Sequence, residues 1–478
     1  MKENIILKKL FENANSIENK NKIAFNDIDS GFQITYSELY NLVLKYSENL
    51  VESNIINMPV IVLNRQDINS IALLLATMKC NCIPLIKNYD HNISKLKYKL
   101  EELETFDLGI DTVITNFNIE NKEEIFPSSY NVININDNNQ IEIKNNNKPF
   151  KPNYVFMQET SGSSGTNKIV PLSNEQILRT LKKFEECVSI NDFTNLSFLP
   201  FSHILGLMTT IFLNIYLCGT THIVKPGTFK NNTNLWIELI ENNKVNFTAC
   251  SNYNLKQILD NAIDKNYDLS SLDTIYVGGE PIDKSLLDNF NSKFKKFNLN
   301  PNCFIPSYGM TEMCGTVCHD VSRNIIAAEN NVVSCGVVDK NDVDICFLNN
   351  NEIMDAKENA YGYILISSDN IFDEYLNARN DSFISYNNKN YFNTNDIGYI
   401  RNNHLFVLGK KDNLIYKDGK KYSKTQINKL IDQIKQEFNL LNYAILNLDN
   451  KIIILHPNEL LMAIYLKIIS WFIYRILL

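Results

Sequence analysis

The period of the hydrophobic pattern changes repeatedly along the first part of the chain, and each change marks an element. From Thr35 to Ser53 (TYSELYNLVLKYSENLVES) apolar residues recur at three- and four-residue steps, the spacing of one helix face. Thr35 with Glu38 three places on is a capping-box pattern, which sets the start of that helix. MPVIVLN then reads as a buried strand, SIALLLATMKC as a helix and CIPLI as the next strand. Strands alternating with helices predict parallel pairing through helical crossovers. The polar stretch from Asp137 to Lys151 reads as a loop, and YVFMQ (Tyr154 to Gln158) as another short strand.

The hydrophobic pattern breaks off after that strand. Glu159 to Val170, ETSGSSGTNKIV, holds two glycines, three serines, two threonines and a lysine. With a helix expected from about Asn174 to Cys187, the order is strand, loop of backbone amides, helix, which suits phosphate oxygens. The spacing Gly162-x-x-Gly165-x-x-Lys168 is not the G-x4-G-K-[ST] of P-loop kinases and nucleoside triphosphatases, and no Walker-type aspartate pairs with it. Alone, the stretch reads equally well as a polar turn.

Composition narrows the choice of partner. A 478-residue chain with 44% hydrophobic and 21% charged residues is that of a soluble globular protein with room for a large and a small domain. A net charge of −8 argues against nucleic acid, because phosphate backbones demand a basic face. The run Lys293 to Lys296 (KFKK) reads as a solvated helix face. Ten scattered cysteines, with no second pair to match Cys80 and Cys82, read as reduced, mostly buried thiols in a cytoplasmic protein. The start, MKENIILKKLFENA, lacks the apolar core of a secretory signal.

Four further stretches accompany the loop, in order. FLPFSHILGL (Phe198 to Leu207) sets His203 between a strand end and an apolar helix. IYVGGEPID (Ile275 to Asp283) is a strand ending in Gly-Gly-Glu. PSYGMTEMCG (Pro306 to Gly315) offers an aromatic, a glycine, a hydroxyl and a carboxylate. NTNDIGYI (Asn393 to Ile400) leads into LFVLGKKDNLIYKDGKKYS (Leu405 to Ser423).

With these motifs the chain, from about Ile34 to Asn428, resembles the adenylate-forming superfamily; within it the stretches Asn234 to Leu259, Asp268 to Ile282 and Lys293 to Glu312 look most like fatty acyl-AMP ligases and acyl-CoA synthetase-like enzymes. Thr160 to Lys168 follows the family loop T-S-G-[ST]-T-G-x-P-K-G; YGMTE and the T-x-D-x-G of Thr394 to Gly398 match two more motifs. The resemblance implies an α/β fold: a large N-terminal domain of mixed sheets flanked by helices (1–408) and a small, abbreviated α+β C-terminal domain (409–478). It also implies ATP and Mg²⁺, and attack of a carboxylate on the α-phosphate of ATP to give acyl-AMP and pyrophosphate. The acyl group then passes to a phosphopantetheine thiol, of a carrier protein or CoA, as in fatty acid, polyketide or lipopeptide metabolism.

The same resemblance assigns roles. Thr160, Ser161, Gly162, Ser163, Ser164 and Gly165, with Lys168, would hold the β- and γ-phosphates. Glu312, with Ser164, would hold Mg²⁺, a hard ion suited to oxygen ligands. Tyr308, followed by Gly309, Met310 and Thr311, would stack on adenine, with Gly279, Glu280 and Pro281 lining the other side. Asp396 would accept the ribose hydroxyls, and Lys410 stands where the family has arginine. His203 would sit by the substrate carboxylate. Each has a competing structural reading: Tyr308 as core, Asp396 as a turn cap, His203 as a packed histidine. Amino-acid-activating relatives carry an aspartate after the strand that precedes His203, and this stretch has none, so an uncharged acyl or aryl acid is preferred.

The C-terminal part departs from the family pattern. Asp412 aligns with the hinge of the small domain, but no counterpart of the late Gly-Lys motif is found, neither at Lys451 nor at Lys467. The closing stretch ELLMAIYLKIISWFIYRILL (Glu459 to Leu478) carries Lys467 near its middle, which costs about 2.5–3.5 kcal/mol in a membrane span. Its polar residues fall on one side at about 100° per residue, so an amphipathic helix packed on protein is favoured over membrane contact. The missing lysine motivates an alternative function, that of a catalytically weak or silent partner subunit binding nucleotide or acyl chains.

Overall fold

Pro59–Asn64 and Ile83–Asn88 pair in parallel in the computed structural model, joined by the helix Ile68–Lys79, as the alternating pattern predicts. The structure describes residues 4–89, 93–106, 108–137, 153–161, 167–188, 192–263, 265–328, 331–379 and 381–410. Beyond these it describes the strands Leu414–Lys417, Lys420–Ser423, Ala444–Leu448 and Lys451–Leu455. Helix Tyr36–Glu52 begins at a complete capping box: Thr35 Oγ1 accepts from Glu38 N, and Glu38 Oε2 accepts from Thr35 N at 2.8 Å. Every position of Pro59–Asn64 is buried, which is why its sequence is apolar from Pro59 to Leu63 rather than alternating.

Two mixed sheets flanked by helices form most of the molecule. One has six strands, in the order Asn131–Asn134, Thr112–Thr115, Pro59–Asn64, Ile83–Asn88, Tyr154–Ser161 and Asn167–Ser173. The other has eight, in the order Gly315–His319, Phe304–Met310, Thr274–Val277, Phe247–Cys250, Thr194–Ser197, Thr220–Ile223, Ile23–Asp27 and Phe32–Thr35. A shared core that includes Leu73, Phe156, Phe184, Met208, Phe212 and Phe247 draws on strands of both sheets and on their helices. A third, barrel-like sheet is built largely of hairpins, Asp344–Asn349 with Glu352–Asp355 and Phe383–Tyr386 with Lys389–Arg401.

One expectation is corrected. The segment after the glycine-serine loop is not a direct entry into a helix. Asn167–Ser173 is a strand, antiparallel to Tyr154–Ser161 with Thr160 opposite Lys168, and the helix Asn174–Glu185 starts only after it. Burial of Ile169, Val170 and Leu172 explains the strand, which its polar ends at Asn167, Lys168 and Ser173 hid in the sequence. The strands on either side of the loop therefore pair with each other, and the helix begins only after the second of them.

Two compact units are present: Met1–Thr394 with Gly398–Val407, and Asn395–Ile397 with Leu408–Leu478. The described strands after residue 411 form two antiparallel hairpins, Leu414–Lys417 with Lys420–Ser423 and Ala444–Leu448 with Lys451–Leu455. Asp412, the polar stretch from 138 to 151 and the expected terminal helix 459–478 lie outside the described residues. No helix among the described residues is long and apolar enough to cross a membrane. All ten cysteines are free, and nine are buried.

Candidate active site

Four parallel neighbours in the eight-stranded sheet, Thr194–Ser197, Phe247–Cys250, Thr274–Val277 and Phe304–Met310, end at one edge. The carboxyl edge of parallel strands is where α/β folds bind ligands. Here the chain leaving these strands carries His203, Ser251 and Asn252, Gly279 to Pro281, and Tyr308 to Glu312. Sequence reasoning names most of these separately; the parallel register is what aligns them.

His203 lies on a turn that leaves the strand Thr194–Ser197 and starts an apolar helix. Its Nδ1 accepts from Leu205 N at 3.3 Å, which assigns the neutral ring's proton to Nε2 and leaves that edge as a donor. The residue keeps access to solvent, yet the surrounding protein desolvates it and lowers its pKa. The helix beyond it opens into a π-helical segment, Leu207–Phe212, with the carbonyl of Thr209 taken by Asn195 Nδ2 at 3.0 Å. Such segments are frequent at functional sites.

Gly279, at φ +85°, turns the chain at the end of Thr274–Val277. Glu280 Oε1 then accepts from Tyr253 N at 2.9 Å, and the carbonyl of Pro281 accepts from Asn252 Nδ2. On the next strand Tyr308 is buried, opposite Cys318. Gly309 admits no side chain: a Cβ there would lie 1.7 Å from the carbonyl oxygen of Gly315. Met310 leads into the short turn Thr311–Met313, in which Thr311 and Glu312 are buried.

Glu312 Oε1 accepts a hydrogen bond from the hydroxyl of Tyr375 at 2.6 Å. Burial, reinforced by the Glu312 charge, pushes the Tyr375 phenol well above its ordinary pKa, so it acts only as a donor. The Lys168 ammonium lies 4.5 Å from the centroid of the same ring. The segment carrying Tyr375 runs beside Asn167–Ser173: Asn377 Oδ1 accepts from Ile169 N, its Nδ2 donates to the Asn167 carbonyl, and Leu376 N donates to the Ile169 carbonyl. The two bonds of Asn377, both at 2.7 Å, bracket Lys168 and fix its backbone.

At the root of the hairpin Glu159 is held by the buried Lys87, and Lys99 stands 3.8 Å from its other oxygen. Desolvation lowers the pKa of Lys87, and the Glu159 charge opposes that shift. Within the smaller unit Asp396 Oδ1 and Lys410 Nζ form an ion pair at 3.3 Å. Thr160 and Ser161 end the described part of the strand; Gly162, Ser163, Ser164 and Gly165 lie outside the described residues. Tyr375, Asn377, Lys87 and Gln158 are missed by sequence reasoning, since isolated polar residues outside any motif carry no periodic or spacing signal.

The carboxylate of Glu312 suits a hard cation: Oε1 accepts one hydrogen bond, and a carboxylate has lone pairs for more. No cluster of three or more histidine, cysteine or acidic side chains offers a metal site among the described residues. One carboxylate therefore fits an ion held jointly with substrate phosphates and water, the habit of Mg²⁺.

The family model described as AMP-binding enzyme matches residues 11–376. The chain belongs to the AMP-binding enzymes. Curated relatives of this AMP-binding enzyme include a nonribosomal peptide synthetase of Aspergillus terreus, 27% identical over 57% of this chain and 30% of its own length. They also include a medium-chain-fatty-acid–[acyl-carrier-protein] ligase of Teredinibacter turnerae, 23% identical over 59% of this chain and 50% of its own. The chain thus spans half or less of the length of these two relatives. A fatty acyl-adenylate ligase from L. pneumophila, solved with acyl adenylate and pyrophosphate, superposes with a TM-score of 0.73 at 19% identity. That superposition covers 94% of this chain and 85% of the other, and it shows a shared fold.

Proposed function

We propose that this AMP-binding enzyme activates an uncharged acyl or aryl carboxylic acid as its adenylate and passes it to a phosphopantetheine thiol. The observation that carries the reading is the placement of Lys168 and Glu312 about one tyrosine ring. A cation from the glycine-serine hairpin and a carboxylate from the YGMTE turn are held in fixed relation, as a polyphosphate chain and its counter-ion require. Fixed charges of this kind stabilise developing phosphoryl charge without reorganising at the moment of reaction.

In the first half-reaction a carboxylate oxygen of the acid forms a bond to the α-phosphorus of ATP. The bond from that phosphorus to the bridging oxygen breaks, and pyrophosphate leaves. Lys168 neutralises the departing oxygens, with the hydroxyls of Thr160, Ser161, Ser163 and Ser164 and the amides of Gly162 and Gly165 completing the cradle. Glu312 and Ser164 would hold Mg²⁺, which would supply charge neutralisation at the phosphate oxygens. Tyr375 keeps the Glu312 carboxylate oriented. Tyr308 to Thr311 and Gly279 to Pro281 enclose adenine, Asp396 accepts the ribose hydroxyls, and His203 donates from Nε2 to the acid. Asp412 is the hinge for the second half-reaction, in which the thiol sulfur bonds to the acyl carbon and AMP departs.

The absence of an acidic residue on the His203 turn supports an acid without an α-ammonium group. The name of the T. turnerae relative supports a carrier protein as acceptor, with CoA as the other source of the same thiol. The test is pyrophosphate release with hydroxylamine trapping, offering saturated fatty acids of graded length and one aryl acid. Hydroxamate from one class establishes the ligase and names its acid. No product with nucleotide binding retained supports instead a silent partner subunit.

A further inference from the structure

The turn that carries His203 is held by two buried glutamines from the other sheet. Gln66 lies just past the strand Pro59–Asn64 and is buried with a left-handed backbone, φ +59°. Its Nε2 donates to the Leu199 carbonyl at 2.6 Å, and its Oε1 accepts from Phe201 N at 2.9 Å. Gln158, on the strand that runs into the glycine-serine loop, donates from Nε2 to the Ser202 carbonyl. Inside the turn His203 N donates to the Pro200 carbonyl at 3.0 Å. Gly206 packs so closely beneath it that a Cβ would lie 2.2 Å from that same oxygen.

The residue type at position 66 is informative. Left-handed backbone favours glycine and tolerates asparagine, and a longer side chain held there is a strain that clusters at functional sites. Neither glycine nor asparagine spans to both Leu199 and Phe201. The conformation is in turn fixed by Asn64, whose Oδ1 accepts from Gln66 N at 2.7 Å and whose Nδ2 donates to Asn88 at 2.9 Å. A glutamine is retained where the backbone prefers something smaller, and its amide is used at both ends on the turn before His203.

We propose that Gln66 and Gln158 are positioning residues of the acid site. Gln66 sets the turn that aims His203 at the substrate carboxylate. Gln158 ties that turn to the phosphate-loop strand, so that acid and nucleotide are aligned together. This rests on the adenylation reading, and it adds residues that act through His203 rather than on the reacting atoms.

The experiment compares wild type, Gln66→Asn and Gln158→Met in the hydroxamate assay, using the acid that gives most product. The Michaelis constants for acid and ATP are measured separately, alongside thermal unfolding. Gln66→Asn keeps the left-handed backbone and loses the clasp. It should raise KM for the acid about tenfold, the factor for one lost hydrogen bond, with KM for ATP unchanged within about twofold. Gln158→Met should raise both constants. A Gln66→Asn enzyme with a lowered Tm but no change in KM for the acid, or with both constants raised equally, overturns the inference and leaves the glutamine structural. If that variant does not fold, Gln66→Glu takes its place, keeping the acceptor for Phe201 and repelling Leu199. Wild type that yields hydroxamate from no acid overturns the adenylation reading and this inference with it. Activity with unchanged constants overturns the inference alone.

Discussion

Tyr375 donates its hydroxyl proton to Glu312 across 2.6 Å while Lys168 sits over its ring at 4.5 Å. The tyrosine is 63 residues from Glu312 in sequence, so only the fold brings the three together. Its removal separates orientation of the carboxylate from the carboxylate itself. Tyr375→Phe keeps the ring under Lys168 and deletes the hydrogen bond to a charged acceptor, a bond worth about 1.5–3 kcal/mol. Adenylation should fall about tenfold or more at limiting Mg²⁺, and a Mg²⁺ titration of pyrophosphate release should show partial recovery at high metal. Glu312→Ala should abolish that recovery.

Asp396 and Lys410 form a partly exposed pair, so its Coulombic contribution to folding is small. Asp396→Ala should therefore weaken ATP binding about tenfold while leaving thermal unfolding nearly unmoved. Calorimetric titration with nucleotide reads the first and a melting curve the second. An unchanged titration removes the ribose assignment.

Desolvation by the surrounding protein lowers the His203 pKa from its ordinary 6.5, so the ring is mainly neutral at pH 7 and takes its proton only at lower pH. The pH profile of kcat/KM for the acid should show no loss centred near 6.5, its acidic limb lying lower. His203→Ala should raise KM for the acid about tenfold, and His203→Gln, which retains an N–H donor, should recover part of that.

His222 makes a different prediction, about stability. It is buried in the eight-stranded sheet, with Nδ1 3.0 Å from Asn26 Nδ2, and desolvation lowers its pKa from 6.5 to about 4. Above pH 6.5 both folded and unfolded forms are neutral there, and stability is at its full value. As pH falls from 6.5 toward 4 the unfolded chain takes the proton first, so stability declines by roughly 3 kcal/mol and then levels. Denaturant unfolding measured across that window should show the decline in wild type and a smaller one in His222→Gln.

At the root of the hairpin the buried Lys87 pairs with the partly buried Glu159, and removing the lysine leaves the carboxylate without its main partner. Lys87→Met should cost about 3–5 kcal/mol, with Lys99, at 3.8 Å from Glu159, limiting the loss. The double variant Lys87→Met/Glu159→Gln should recover much of it. Urea unfolding of the two variants makes the comparison.

The parallel framework was legible because its central strands are largely buried and its first long helix opens with a capping box. The motif residues were legible because the family resemblance fixes their order. The strand Asn167–Ser173 was not: its apolar residues are few and lie next to a polar loop, and pairing with Tyr154–Ser161 rather than local pattern makes it a strand. Tyr375, Asn377, Gln66 and Gln158 were illegible for the same reason. Each acts through one or two hydrogen bonds to residues far away in sequence, and nothing in its own neighbourhood marks it.

The edge of the eight-stranded sheet sets a timetable for synthesis. Ile23–Asp27 finds its parallel partner in Thr220–Ile223, and Asn26 meets His222 across 196 residues of chain. At about 5–20 residues per second a ribosome takes roughly 10–40 s to make that interval. Through all of it the hairpin Ile23–Thr35 has its own turn but no sheet to join. The first strands made are thus kept waiting for the middle of the protein, and a nascent chain stalled before residue 220 presents an open edge that invites pairing with another chain.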